Sequence, residues 1–160
     1  MSGQPDSSVL SLVSALSDAI GQPLQLDARG ECAMEFNGPG EPTTKPVIDV
    51  VLARAADPEI LSIRSQITQP GQVLQVELLE LALGLNYTRV PPGYCIALDP
   101  SSRQLMLVAL FDAERVSQDE FLHAIAGFLE LIPQLRQECV AALQSRTEEA
   151  HEMIAMGVLA

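Results

Sequence analysis

The sequence predicts an α+β domain, an antiparallel β-sheet flanked by helices in the order α-β-β-β-α-β-β-α. Strand-like runs come in hairpin groups between segments of helical period, whereas a parallel sheet would alternate single strands with helices. Hydrophobic residues make up 48% of the 160 and charged residues 19%, enough to bury a core without disulfide staples. The middle helical segment, Gly71–Tyr87, is apolar on two opposite sides, so it wants two apolar partners.

The first element is an amphipathic helix over Ser8–Ile20. Val9, Val13, Leu16 and Ile20 share one face, and Ser7 or Ser8 can cap the free N–H groups of the first turn. Leu10 and Leu12 lie on the two flanks and widen the apolar surface. Gly21–Pro23 breaks this helix. Leu24 and Leu26 then alternate with polar neighbours, and Cys32, Met34 and Phe36 repeat that period of two, so both runs read as short strands. Asn37–Pro46 is a loop on its Gly and Pro content. Val47–Arg54 and Ile60–Ile67 form an antiparallel hairpin across Ala55–Glu59, where Asp57–Pro58 favours a turn. Ile48, Val50 and Leu52 then share a face with Leu61 and Ile63.

In the middle helix, an advance of about 100° per residue gathers Leu74, Leu78, Leu81 and Leu85 into one stripe. Val76, Leu79 and Leu83 form the opposed one. The surface helix of a small monomer needs only one such stripe, so the second predicts a homodimer through this helix; a central helix buried within one domain is the alternative. Beyond Val90–Gly93, the runs Tyr94–Leu98 and Gln104–Phe111 flank DPSSR as a second hairpin. Ser117–Glu120 places a capping hydroxyl and early acids ahead of Phe121, Leu122, Ile125, Phe128, Leu129 and Ile132. Pro133 predicts a kinked or two-part helix, because Leu135, Cys139 and Leu143 continue the phase. Residues 1–144 thus form a single domain, and 145–160 a C-terminal tail or helical extension.

A formal charge of −12 with only nine Lys and Arg opposes binding to nucleic acid or to an anionic membrane, and suits a basic or polar protein partner. The start MSGQPDSSV lacks the basic and apolar regions of a signal peptide, and Phe121–Leu135 is interrupted by His123, Glu130 and Pro133, so neither export nor membrane insertion is expected. The cysteines at 32, 95 and 139 have no CxxC spacing and read as reduced cytosolic thiols, Cys32 and Cys139 as buried structural ones. His123 sits in a helical apolar pattern and His151 in the polar tail. There is no GxSxG, HExxH, P-loop or GxGxxG, and the paired acids Glu77 with Glu80, Asp119 with Glu120 and Glu148 with Glu149 fit solvated helix faces. No catalytic residue, metal ligand or cofactor is therefore expected.

ECAMEFNG at Glu31–Gly38, LLELALGLNYTR at Leu78–Arg89 and GYCIALDPSSRQLMLVALF at Gly93–Phe111, in this order of elements, resemble the small acidic chaperones of bacterial type III secretion, the CesT type. The resemblance covers Val9 to Leu143. It implies a bacterial cytoplasmic homodimer without ATPase activity, with dimer contacts on the middle helix, in agreement with the second stripe of Val76, Leu79 and Leu83. Its partners would be type III effector proteins, bound near their N-termini in extended form, and the secretion-system ATPase that receives them. The length, acidity and tail are also similar to the general exit-control (HpaB-like) chaperone, which serves many effectors. Such a client can add to a strand edge and press alternate side chains onto apolar patches. The candidate surface combines Leu10, Leu12 and Val13 of the first helix with Leu26, Met34 and Phe36 of the first strands. Ordinary core is the competing account of these six residues, and a small-ligand-binding or enzymatic domain, or a single-partner adaptor, the competing function.

Overall fold

A computed structural model describes residues 7–37, 47–54, 60–69 and 74–155; at 7, 37, 47, 48 and 146–155 it describes the backbone alone. The expected element order holds: α1 (Ser7–Ile20), β1 (Glu31–Asn37), β2 (Val47–Arg54), β3 (Ile60–Gln66), α2 (Val76–Thr88), β4 (Tyr94–Leu98), β5 (Leu105–Asp112) and α3 (Gln118–Ala155). The expected loop over 38–46 and turn over 55–59 lie outside the described residues.

The five strands form one antiparallel sheet in the spatial order β1-β2-β3-β5-β4, so β1 and β4 are its edges. Period-two alternation sends one set of side chains to the helical side of the sheet. Met34, Val50, Leu52, Leu61, Ile63, Leu105, Leu107, Ala109 and Ile96 are buried there, in the registers Met34↔Val50, Leu52↔Ile63↔Ala109 and Ile96↔Leu107. Val50 and Leu52 lie with Leu61 and Ile63 as expected, while the Ile48 side chain is not described.

On that side, α1 and α3 pack against each other and close the core. Val9, Leu12, Val13 and Leu16 of α1 meet Phe121, Ile125, Phe128, Ile132 and Leu135 of α3 in one buried cluster. Phe111 and Phe121 stand edge to face at 5.0 Å and couple β5 to the start of α3. The start of α3 is a capping box: Ser117 N–H donates to Glu120 Oε2 at 3.0 Å and Glu120 N–H to Ser117 Oγ at 3.3 Å. The Ser117 hydroxyl, donating to Glu120 Oε2 at 2.6 Å, and then the Ser117 N–H hold the Glu120 carboxyl below its usual pKa.

Two local expectations fail. Leu24–Leu26 alternates, yet it forms no strand; the stretch is irregular, and the main-chain bond to β1 is made just after it, at Asp27. Pro133 does not split α3, which runs unbroken for 38 residues. Proline removes one donor to the Leu129 carbonyl, but Phe128 and Ile132 before it and Leu135 and Cys139 after it are all buried, and packing on both sides outweighs the missing bond. The segment after Gln144 continues this helix to Ala155.

Candidate functional site

The two sheet edges are built differently. In an antiparallel ladder, alternate residues turn both main-chain groups toward the partner strand, and those between turn them away. On β4 the outward residues are Tyr94, Ile96 and Leu98. Tyr94 N–H donates to Pro91 C=O at 3.2 Å. The Asn86 side chain reaches over from α2: its Oδ1 accepts from Ile96 N–H at 2.7 Å and its Nδ2 donates to Ile96 C=O at 2.9 Å. A primary amide presents one donor and one acceptor side by side, as a neighbouring strand would. The middle of the β4 edge is therefore already occupied.

On β1, Glu31 turns outward, and both its main-chain groups are taken by Asp27. Asp27 N–H donates to Glu31 C=O at 2.8 Å, and Glu31 N–H donates to Asp27 Oδ1 at 2.9 Å. The turn between them needs a residue of positive φ, supplied by Gly30 at 77°. The Asp27 carboxyl is held below its usual pKa, first by the Glu31 N–H and then by the Arg29 N–H.

By the same alternation Ala33 and Glu35 present their N–H and C=O groups outward, and the residues before Asp27 do not pair with them. Between this edge and Gln22–Gln25 opens a groove of about 950 Å3. Leu24, Cys32 and Val51 supply its apolar lining over the buried Met34 and Val50, and Glu35 and Asp49 line it with carboxylates. Its chemistry is that of a strand slot, with main-chain donors and acceptors in a row and apolar side chains alternating with polar ones.

The six candidate binding residues separate on burial. Leu12, Val13 and Met34 belong to the core, so none offers an open surface in this conformation. Leu12 lies about 60° from the centre of the α1 stripe, within the width that α1 buries between sheet and α3, and not on a free flank. Leu10 is 44% exposed, while Leu26 and Phe36 are half-buried. Met34 still lines the groove, but Leu10 does not. The groove-lining segment Gln22–Gln25 was not a candidate in the sequence, since no local pattern marks it.

On α2, the stripe Leu78, Ala82 and Leu85 is buried toward α3 and β4, with Leu74 and Leu81 half-buried beside it. The helix begins at Val76, not Gly71. On its other side Val76 is 65% and Leu83 70% exposed, while Leu79 is half-buried against the core. Tyr87, one turn beyond Leu83, is 92% exposed and extends the same apolar line; the sequence reading passed over it. Arg89, just past the helix, is ion-paired with Glu138 of α3.

The thiols and His123 occupy ordinary positions. Burial, then the neighbouring Glu138 charge, pushes the Cys139 thiol up to about 11. Cys32 is half-buried and Cys95 exposed on the outer sheet face. His123 is exposed. Among the described residues no helix is long and apolar enough to cross a membrane.

The profile of the Tir chaperone protein (CesT) family matches residues 11–136. No curated protein matches the chain in sequence. Among solved structures, a chain of the ExsC–ExsE complex superposes with a TM-score of 0.63 at 20% identity, over 82% of this chain and 92% of that one. A chain of the HopA1–SchA chaperone–effector complex gives 0.59 at 22% identity, over 81% and 94%. The Yersinia pestis type III secretion chaperone SycH, in complex with a fragment of YscM2, provides a third such match at 0.50 and 15% identity, over 78% and 97%. At these identities the likeness is one of fold.

Proposed function

The chain belongs to the Tir chaperone protein (CesT) family, and on that premise we propose that it is a type III secretion chaperone for effector proteins. It holds a segment near the effector's N-terminus in extended form and passes it to the secretion-system ATPase. The observation that carries this reading is the groove at the β1 edge, where Ala33 and Glu35 offer main-chain hydrogen bonds beside the apolar lining of Leu24, Cys32 and Met34. Main-chain pairing reads no sequence, so a site built on it suits many effectors. Leu26 and Phe36, half-buried near the groove, and Leu10 on α1 are the remaining apolar contacts in this proposal.

The active unit in this reading is a cytoplasmic homodimer through α2. Val76 and Leu83, with the half-buried Leu79 and with Tyr87, form an apolar line that nothing in one protomer covers among the described residues. A two-fold axis would bring the same line from each copy together.

Mild copurification from the native cytoplasm tests the function. Several unrelated secreted proteins, each captured through its N-terminal region together with the secretion ATPase, are the expected result. A single partner held through a folded domain would instead make the chain an adaptor.

A further inference from the structure

Glu35 on β1 and Asp49 on β2 lie directly opposite each other in the sheet register, and both are exposed. Like charges in that relation destabilise a strand pair, and usually one is exchanged or neutralised by a neighbour. Among the described residues neither carboxylate forms an ion pair. Arg136 feels the Asp49 charge, but its guanidinium is engaged at 3.0 Å with the Gln66 carbonyl. Arg64, on the same sheet face, is bound to Glu31 at 2.6 Å. Both acids line the groove at the open edge.

From this arrangement we propose that the groove selects extended segments carrying a lysine or arginine opposite Glu35 and an apolar residue opposite Met34. The inference rests on the reading of the groove as the client site. A strand bonded to Ala33 and Glu35 places its residue opposite Glu35 on the outer sheet face, about 5 Å away at Cβ, beside the two carboxylates. The next residue along turns to the other face, where the half-buried Cys32 and Leu24, beside the buried Met34, supply apolar contact. A cation there relieves the Glu35–Asp49 repulsion, whereas an anion adds a third like charge. The site thus reads one charge within a recognition mode that otherwise ignores sequence.

Three labelled nine-residue peptides of alternating valine and serine, differing only in Arg, Ser or Glu at the central serine position, test this by fluorescence anisotropy on the full chain. Near 50 mM salt the Arg peptide should bind about tenfold tighter than the Glu peptide, and the gap should shrink at 0.5 M. Glu35→Gln with Asp49→Asn should bring the Arg and Glu peptides within about twofold of each other. That double variant removes the Glu35–Asp49 repulsion together with the Asp49–Arg136 attraction, all at exposed carboxylates, so its melting temperature should change little. Equal affinities in the wild type, or a preference that survives the double variant, would overturn the charge reading alone. Ala33→Pro separates the two levels. If it weakens all three peptides together, the groove is the client site whatever their ranking; if it weakens none, the client reading itself fails and the charge inference with it.

Discussion

The two edges of the sheet differ in what their main-chain groups have already found. At β4 the central residue, Ile96, is bonded twice by the Asn86 amide of α2, and Tyr94 N–H is held by Pro91, so an incoming strand meets an edge in use. At β1 the end residue, Glu31, is satisfied by Asp27, whereas among the described residues the outward groups of Ala33 and Glu35 meet no main-chain partner, the Ala33 carbonyl taking only a long contact from the Cys32 thiol at 3.9 Å. An exposed strand edge invites pairing with another chain, and proteins cover or blunt the edges they do not use. One edge of this sheet is covered and the other is not, which is why the proposed strand addition uses β1. The covered edge carries α2, and with it the apolar line proposed for the dimer. On this proposal self-association and client capture use opposite ends of one sheet.

Separating the two ends is the test with the largest expected effect. Leu83→Glu with Tyr87→Glu puts like charges across the proposed two-fold contact, at a cost of several kcal/mol if that contact is dry. Light scattering should show a dimeric wild type and a monomeric variant at micromolar concentration. Peptide affinity per protomer should stay within about threefold, because β1 is not touched. A variant that loses both together would break the division between the ends.

Ala33→Pro acts on the open edge. Its N–H faces away from β2, so a proline there removes a donor the fold does not use, as edge strands tolerate. Binding of an extended client should weaken at least tenfold, about 1.4 kcal/mol, while the melting temperature moves by no more than about 3 °C. Asn86→Ala acts on the closed edge and should do the reverse. It leaves the Ile96 groups unpaired at a cost of about 1–3 kcal/mol, lowering the melting temperature by roughly 3–10 °C without weakening client capture. Asn86→Asp retains the acceptor for Ile96 N–H, loses the donor to its carbonyl, and should fall between the two.

The smallest effect belongs to Asp27. Its carboxyl is depressed from an ordinary value of 3.8 by the Glu31 and Arg29 N–H groups, so the stabilisation is fully present above that value and is lost as pH falls below it. The melting temperature of Asp27→Ala should lie slightly below that of the wild type at pH 7, and the two should converge toward pH 2. A constant gap across this range would assign the difference to something other than the carboxylate.

The element order was legible because alternation marks β2, β3 and β5 directly and the α1 and α3 stripes have clean helical period. Legibility stopped where pairing is decided by distant residues. Leu24–Leu26 alternates like a strand, but its neighbour turns away after Asp27, and nothing local reports that divergence. Leu12 read as a flank because one stripe was assigned to one partner, whereas α1 fills the space between sheet and α3 and buries a wider band. Pro133 carries a real penalty that buried neighbours on both sides override. Asn86 stands in a polar gap at the end of a leucine-rich helix, and only the tertiary placement of α2 beside β4 makes it an edge guard. Tyr87 was recoverable, since it follows Leu83 by one turn on the exposed line.

Amide hydrogen exchange, residue by residue, on the free chain and on its complex with an effector N-terminal segment tests the central claim most directly. Ala33 and Glu35 N–H groups should exchange fast in the free chain and become strongly protected in the complex, while Ile96 N–H is protected in both. Unchanged exchange at Ala33 and Glu35, with new protection on β4 or on the α3 segment beyond Gln144, would contradict the assignment of the open β1 edge to the client.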